Sequence, residues 1–132
     1  MFRKSSPSHP TTRSSGQWGE AQALQYLRTH GYTIIETNYR QRYGEIDIIA
    51  RDNSTLVFIE VKYRRHTAYG SGLEAVDLRK QQRLCRVAAH YLQSHHLGDC
   101  NARFDVIAVS PPVDGGAAMI DHVENAFDFL FE

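Results

Sequence analysis

Between residues 44 and 62 apolar and polar positions alternate with the two-residue period of β-strands. In Gly44-Glu45-Ile46-Asp47-Ile48-Ile49-Ala50, the alternation puts Ile46, Ile48 and Ala50 on one face, opposite Glu45, Asp47 and Ile49. In Leu56-Val57-Phe58-Ile59-Glu60-Val61-Lys62, it puts Val57, Ile59 and Val61 on one face and Phe58, Glu60 and Lys62 on the other. Polar residues 51–55 between them are short enough for a hairpin, so the two strands pair antiparallel. Residues 32–39 form an earlier strand around Ile34 and Ile35, and residues 40–44 turn into the next, with Gly44 expected to supply a backbone geometry other residues resist. A further strand covers residues 103–109, where Phe104, Val106 and Ala108 oppose Asp105, Ile107 and Val109. Residues 118–123 give a last short edge strand, and the apolar end at 124–132 is expected to dock on the core.

Two stretches carry the helical period instead. Residues 14–30 place Ala23, Leu24 and Leu27 on one stripe; Ser14 with Gln17 has the capping-box form, and Gly31 supplies the stop. Counting back three and four places from that stripe lands on Glu20, so this carboxylate lies on or at the edge of the face that buries. The second helix runs from residue 73 to about 95, with Leu84, Val87, Ala88, Tyr91 and Leu92 as its stripe and Lys80 one turn earlier on the same face. The element order is therefore α-β-β-β-α-β-β, an α/β domain with a mixed sheet of about five strands flanked by helices. Its crossover through the second helix should return the fourth strand parallel to the third. Residues 1–13, rich in Ser, Thr and Pro, read as a disordered leader before a single domain at 14–132.

Composition narrows the class of protein. At 132 residues, with 42% hydrophobic and 23% charged residues, one packed core is affordable without disulfides or metal staples. Cys85 and Cys100 lack metal-ligand spacing, no segment is apolar and long enough to span a bilayer, and a reducing cytoplasmic setting fits best. Net charge is zero, but between residues 60 and 86 the bases Lys62, Arg64, Arg65, Arg79, Lys80, Arg83 and Arg86 outnumber the acids Glu60, Glu74 and Asp77. Arg64 and Lys80 are the candidate contacts to a nucleic-acid backbone; Lys80 also reads as a snorkelling lysine at the core rim, and Arg79, Arg83 and Arg86 as a solvated helix face. His90, His95 and His96 do not have the spacing of ligands. Asp105, in so apolar a strand, reads as a paired charge or a structural acceptor.

The candidate chemistry lies on the hairpin. Pairing its strands brings Asp47, Glu60 and Lys62 together: two carboxylates suited to a hard divalent cation and an ammonium suited to a phosphate. Structural ion pairs gather the same residue types, and Glu20 leaning over the sheet favours the chemical reading.

Gly19-Glu20, Gly44-Glu45-Ile46-Asp47, Phe58-Ile59-Glu60-Val61-Lys62-Tyr63-Arg64 and Arg103-Phe104-Asp105-Val106, in this order, resemble the YraN family of bacterial proteins. That family is in turn similar to restriction-endonuclease-like nucleases and Holliday-junction resolvases. The resemblance covers everything after the leader and implies a restriction-endonuclease-like domain with its site on the sheet. It implies Asp47 and Glu60 as ligands of Mg²⁺ (or Mn²⁺), Lys62 as the lysine that orients or deprotonates water, and Glu20 as the helix-borne acid that joins the metal site. The substrate implied is DNA, branched forms included, and a resolvase-like role would favour a homodimer. The proline that precedes the aspartate in many restriction enzymes is here Ile46. Two readings compete: a non-catalytic nucleic-acid-binding module, and a protein-interaction module using an exposed patch of Phe127, Phe129 and Phe131.

Overall fold

Five strands of the alternating and apolar segments pair into one mixed sheet with a helix layer on each face. The computed structural model describes residues 12–65 and 76–129. In chain order the elements are α1 (Thr12–Thr29), β1 (Thr33–Gln41), β2 (Gly44–Asp52), β3 (Thr55–Tyr63), α2 (Leu78–Ser94), β4 (Ala102–Ser110) and β5 (Met119–Phe127). Spatial order follows chain order, β1-β2-β3-β4-β5. Pairing is antiparallel except between β3 and β4, which the α2 crossover makes parallel.

Each sheet face buries the stripe of one helix. Ala23 and Leu27 of α1 pack on Ile48, Ala50, Val57, Ile59, Ile107 and Val109. Leu84, Cys85, Val87, Ala88 and Tyr91 of α2 cover Ile46, Ile49, Phe58, Phe104 and Val106 on the other side. Each such side chain, taken fully out of water, stabilises the fold by roughly 1.5–3 kcal/mol before chain entropy is counted. Gly31 ends α1 at φ 88°, in the left-handed region where glycine alone is unstrained.

Several boundaries differ from the sequence expectation. The helix α1 already includes Thr12 and Arg13, so Ser14 lies inside it and does not cap it; residues 1–11 of the expected leader lie outside the described residues. The helix α2 begins at Leu78, later than residue 73, because Asp77 caps it: its carboxylate accepts the Lys80 N–H at 2.8 Å. Gly44 does not have a positive φ, and a Cβ there would make an ordinary contact with Val87 Cγ2 at 3.4 Å. The apolar end docks as expected, partly as an extension of β5. Phe127 stacks on Phe104 at 4.6 Å and Phe129 lies 4.5 Å from the same ring, so these two form part of the core and not an exposed patch. Phe131 lies outside the described residues.

Asp105 is the paired charge its setting demanded. Its side chain is fully buried and accepts from Arg103 Nε at 2.9 Å, His122 Nε2 at 2.8 Å and the Asn125 N–H at 2.9 Å. Asn125 takes a φ of 52° where the β4–β5 register shifts, so the carboxylate fills a gap in the ladder. Burial alone would raise the Asp105 pKa, but the bonds from His122, Arg103 and Asn125, with the charge of Arg103, outweigh it and hold the carboxyl below its ordinary value. Replacing Asp105 with Asn should destabilise the fold by about 3 kcal/mol at neutral pH in urea unfolding. Because the folded pKa is depressed, this contribution is present above the unfolded value, near pH ~3.9, and is lost as pH falls through the folded one. The gap between wild type and Asp105→Asn should therefore stay level at neutral pH and close in acid.

Candidate functional site

The strands β2 and β3 pair from Asp52↔Thr55 to Ile48↔Ile59, and there their ladder ends. Beyond it β2 stays with β1, through Ile46↔Tyr39 and Glu45↔Arg40, while β3 stays with β4, from Glu60↔Val106 to Tyr63↔Val109. The sheet forks, and Asp47 stands in the fork. Its Oδ2 accepts the Val61 N–H at 2.8 Å, doing for β3 what a β2 carbonyl would otherwise do. The expected face shared by Ile46, Ile48 and Ala50 breaks here: Ile46 belongs to the α2 side, Ile48 and Ala50 to the α1 side. At this end the β1–β2 hairpin leans onto α2. Arg86 lies over the Tyr43 ring at 4.3 Å, and Tyr39 Oη meets His90 Nδ1 at 2.8 Å.

Glu60, one residue past the last β2–β3 pair, points to the α2 side with its side chain only 8% exposed. Lys80 Nζ lies 2.5 Å from its Oε2, and Lys62 Nζ 3.6 Å from the same oxygen. Lys80 can reach because Asp77 fixes the first turn of α2 beside the fork. A cavity of about 220 Å³ on this side is lined by Asp47, Glu60, Lys80 and Arg83, with Gly44, Glu45 and Leu84. Arg83, expected on a solvated face, is thus a wall of the site; its place one turn after Lys80 was the available signal.

A larger cavity, about 670 Å³, opens on the α1 side, where Gln17 and Glu20 face Asn38, Arg40, Glu45 and Asp47. Glu20 is bound there by Asn38 Nδ2 at 3.0 Å. Asn38 has a φ of 54° across from Asp47, and an asparagine inside a strand was the clue to that kink. Asp47 lines both cavities, whereas Glu20 and Glu60 each line one. Among the described residues no three of His, Cys, Asp or Glu stand close enough to hold a metal ion, so Glu20 is not gathered as a third ligand beside Asp47 and Glu60. It approaches from the opposite layer and already has a partner. Arg64 continues β3 with its N–H on Val109 O at 2.8 Å, but it lines neither cavity.

The electrostatics are uneven. Burial, then the charge of Glu60, pushes the Asp47 carboxyl up to about 8, against the pull of the Val61 N–H; Glu20 and Glu45 add to the rise. Burial and the neighbouring Lys80 lower the Lys62 pKa although Glu60 opposes them. Burial would lower Lys80 as well, but its hydrogen bond and ion pair to Glu60 outweigh that and raise it. Glu60 has two ammonium partners, while among the described residues no lysine or arginine pairs directly with Asp47.

Residues 19–109, which span this site, match the sequence model of the uncharacterised protein family UPF0102. The UPF0102 protein of Stutzerimonas stutzeri (strain A1501) is 45% identical over 118 residues, which is 89% of this chain and 97% of that protein. Those of Syntrophus aciditrophicus (strain SB) and Alkaliphilus metalliredigens (strain QYMF) are each 47% identical, covering 89% and 88% of this chain and 91% and 99% of theirs.

Because Asp47 titrates higher folded than unfolded, the native state holds a proton that the unfolded chain releases near pH ~4, and stability falls as pH rises from there to about 8. Replacing Asp47 with Asn keeps an acceptor for Val61 and removes the charge. In chelator, the variant should unfold at higher urea than wild type, by at least about 1 kcal/mol at pH 8. The difference should widen from pH ~4 to ~8 and level off above; an equal or lower midpoint at pH 8 would contradict the electrostatics described.

Proposed function

The chain belongs to UPF0102, the YraN-like family its motifs resemble, and on that footing we propose that it is a divalent-cation-dependent nuclease hydrolysing DNA phosphodiesters, branched DNA included. One observation carries the reading: in a single notch, two deep carboxylates meet two ammonium groups and the charges are not matched pair by pair. The contrast is internal to the protein. Around Asp105 every donor serves a structural acceptor, and the carboxyl is held ionised. At Asp47 burial and then the charge of Glu60 suppress ionisation.

The donor set suits Mg²⁺ or Mn²⁺, hard cations that take one or two carboxylates and leave other positions to water and substrate phosphate. Held by Asp47 and Glu60, such an ion supplies neutralisation of the phosphodiester and a lower pKa for bound water. The rest falls to side chains. Lys62, with its reduced hold on a proton, can take one from the attacking water or, while charged, steady a phosphate oxygen. Lys80 and Arg83 line the same small cavity and would meet the backbone of the substrate. Glu20, on the far side of the fork, adds to the negative potential at Asp47. A homodimer would present two such notches to a branched substrate.

The test titrates Mg²⁺ and Mn²⁺ by calorimetry into wild type, Glu60→Ala and Lys62→Met, with cleavage of linear, flapped and four-way DNA measured in parallel. Glu60→Ala should lose cation binding and cutting together. Lys62→Met should keep cation binding and cut about 10²-fold more slowly, or worse, with its melting transition intact. If wild type neither binds a cation nor cuts any DNA, the non-catalytic nucleic-acid-binding module takes this reading's place, recognisable by salt-sensitive binding that ignores metal.

A further inference from the structure

Glu60 Oε2 has two claimants among the described residues, and the nearer comes from a different element than the acids. Lys80 Nζ stands at 2.5 Å on α2, against 3.6 Å for Lys62 two residues along the same strand. Lys80 is also the more open of the two, its side chain 31% exposed against 18%, and it lines the small cavity that Asp47 shares. Its backbone is fixed, with the N–H on Asp77 Oδ1, so the side chain can swing without moving the helix. A divalent cation held by Asp47 and Glu60 would compete with Lys80 for the Glu60 carboxylate.

We propose that Lys80 is an exchangeable partner of Glu60: it fills the cation's place until a divalent ion arrives, then turns its ammonium group to the substrate's phosphate oxygens. The inference rests on the cation-binding reading of the notch and adds to it a residue outside the β2–β3 hairpin. Charge favours it: with both carboxylates ionised, Asp47, Glu60, Lys62 and Lys80 sum to zero, so an added dication leaves an excess of positive charge that attracts the anionic phosphodiester and repels an ammonium group from the shared carboxylate. An ammonium group and a dication on one carboxylate repel each other, so binding of the ion disfavours retention of the Lys80 contact. Between the two lysines, Lys80 is the one to leave, since Lys62 is more enclosed and anchored on the strand itself.

Because the apparent affinity of a site falls by the fraction of molecules in which it is open, removing Lys80 should tighten the site. Calorimetric titration of Mg²⁺ into Lys80→Met should give binding at least about fivefold tighter than wild type. Arg83→Met removes the same charge from the same cavity wall without touching Glu60, and should change the affinity by no more than about twofold. A second measurement needs no variant: acetylation of the wild-type protein by an amine-reactive ester, read by mass spectrometry. Lys80 should be modified slowly in chelator and several-fold faster in saturating Mg²⁺. Unchanged Lys80 reactivity on cation binding would overturn the exchange, as would equal affinity gains in the two variants, and either result leaves the cation site standing. Failure of wild type to bind Mg²⁺ or Mn²⁺ at all would remove the site and the exchange with it.

Discussion

A buried strand must satisfy every backbone N–H, and β3 runs out of partners on one side just past Ile59. The hydrogen bond from Val61 N–H to Asp47 Oδ2 answers that need with a side chain. Much else follows from it. The two halves of the sheet can separate without leaving an orphaned donor, the hairpin is free to lean onto α2, and the space opened is lined by acids in place of a continuous ladder. The carboxylate that would serve chemistry is thus also a structural member. It borders two cavities, one walled by α1 and the other by α2.

The protein handles two buried aspartates in opposite ways with similar means. Both Asp47 and Asp105 receive a backbone N–H at an interruption of the sheet. Asp105 also draws in Arg103 and His122 and is stabilised as an anion. Asp47 is destabilised as one by burial first and then by the charges of Glu60, Glu20 and Glu45. The first arrangement is what folding alone favours. The second is strain of an electrostatic kind, retained where the fold has otherwise been economical.

Much of this architecture was legible in the chain. The alternation in 44–50, 56–62 and 103–109 located the strands, the stripes through Leu27 and Leu84 located the helices, and crossover handedness gave the parallel β3–β4 pair. Reading failed where it assumed an unbroken ladder. Period-two logic cannot register a fork, so Ile46 was assigned to the wrong layer. Gly44 was read for dihedral angles that it does not adopt. Glu20 was rightly taken toward the sheet, but a helical wheel does not say from which face a residue meets Asp47, and the answer was the far one. Lys80 was legible as a candidate. Arg83 was read as solvated, although its place one turn after Lys80 puts it on the same wall.

One more consequence follows from Asp47 bordering both cavities. A packed sheet ordinarily separates its two faces as an insulating partition, and here it has a window framed by two carboxyl groups, Asp47 and its strand neighbour Glu45. Anything that neutralises Asp47 from the α2 face alters the potential met by a ligand on the α1 face, and the influence runs equally in reverse. The layers of this small protein are therefore thermodynamically linked through carboxyl groups that both faces share, the deeper being Asp47, with no conformational change needed to connect them.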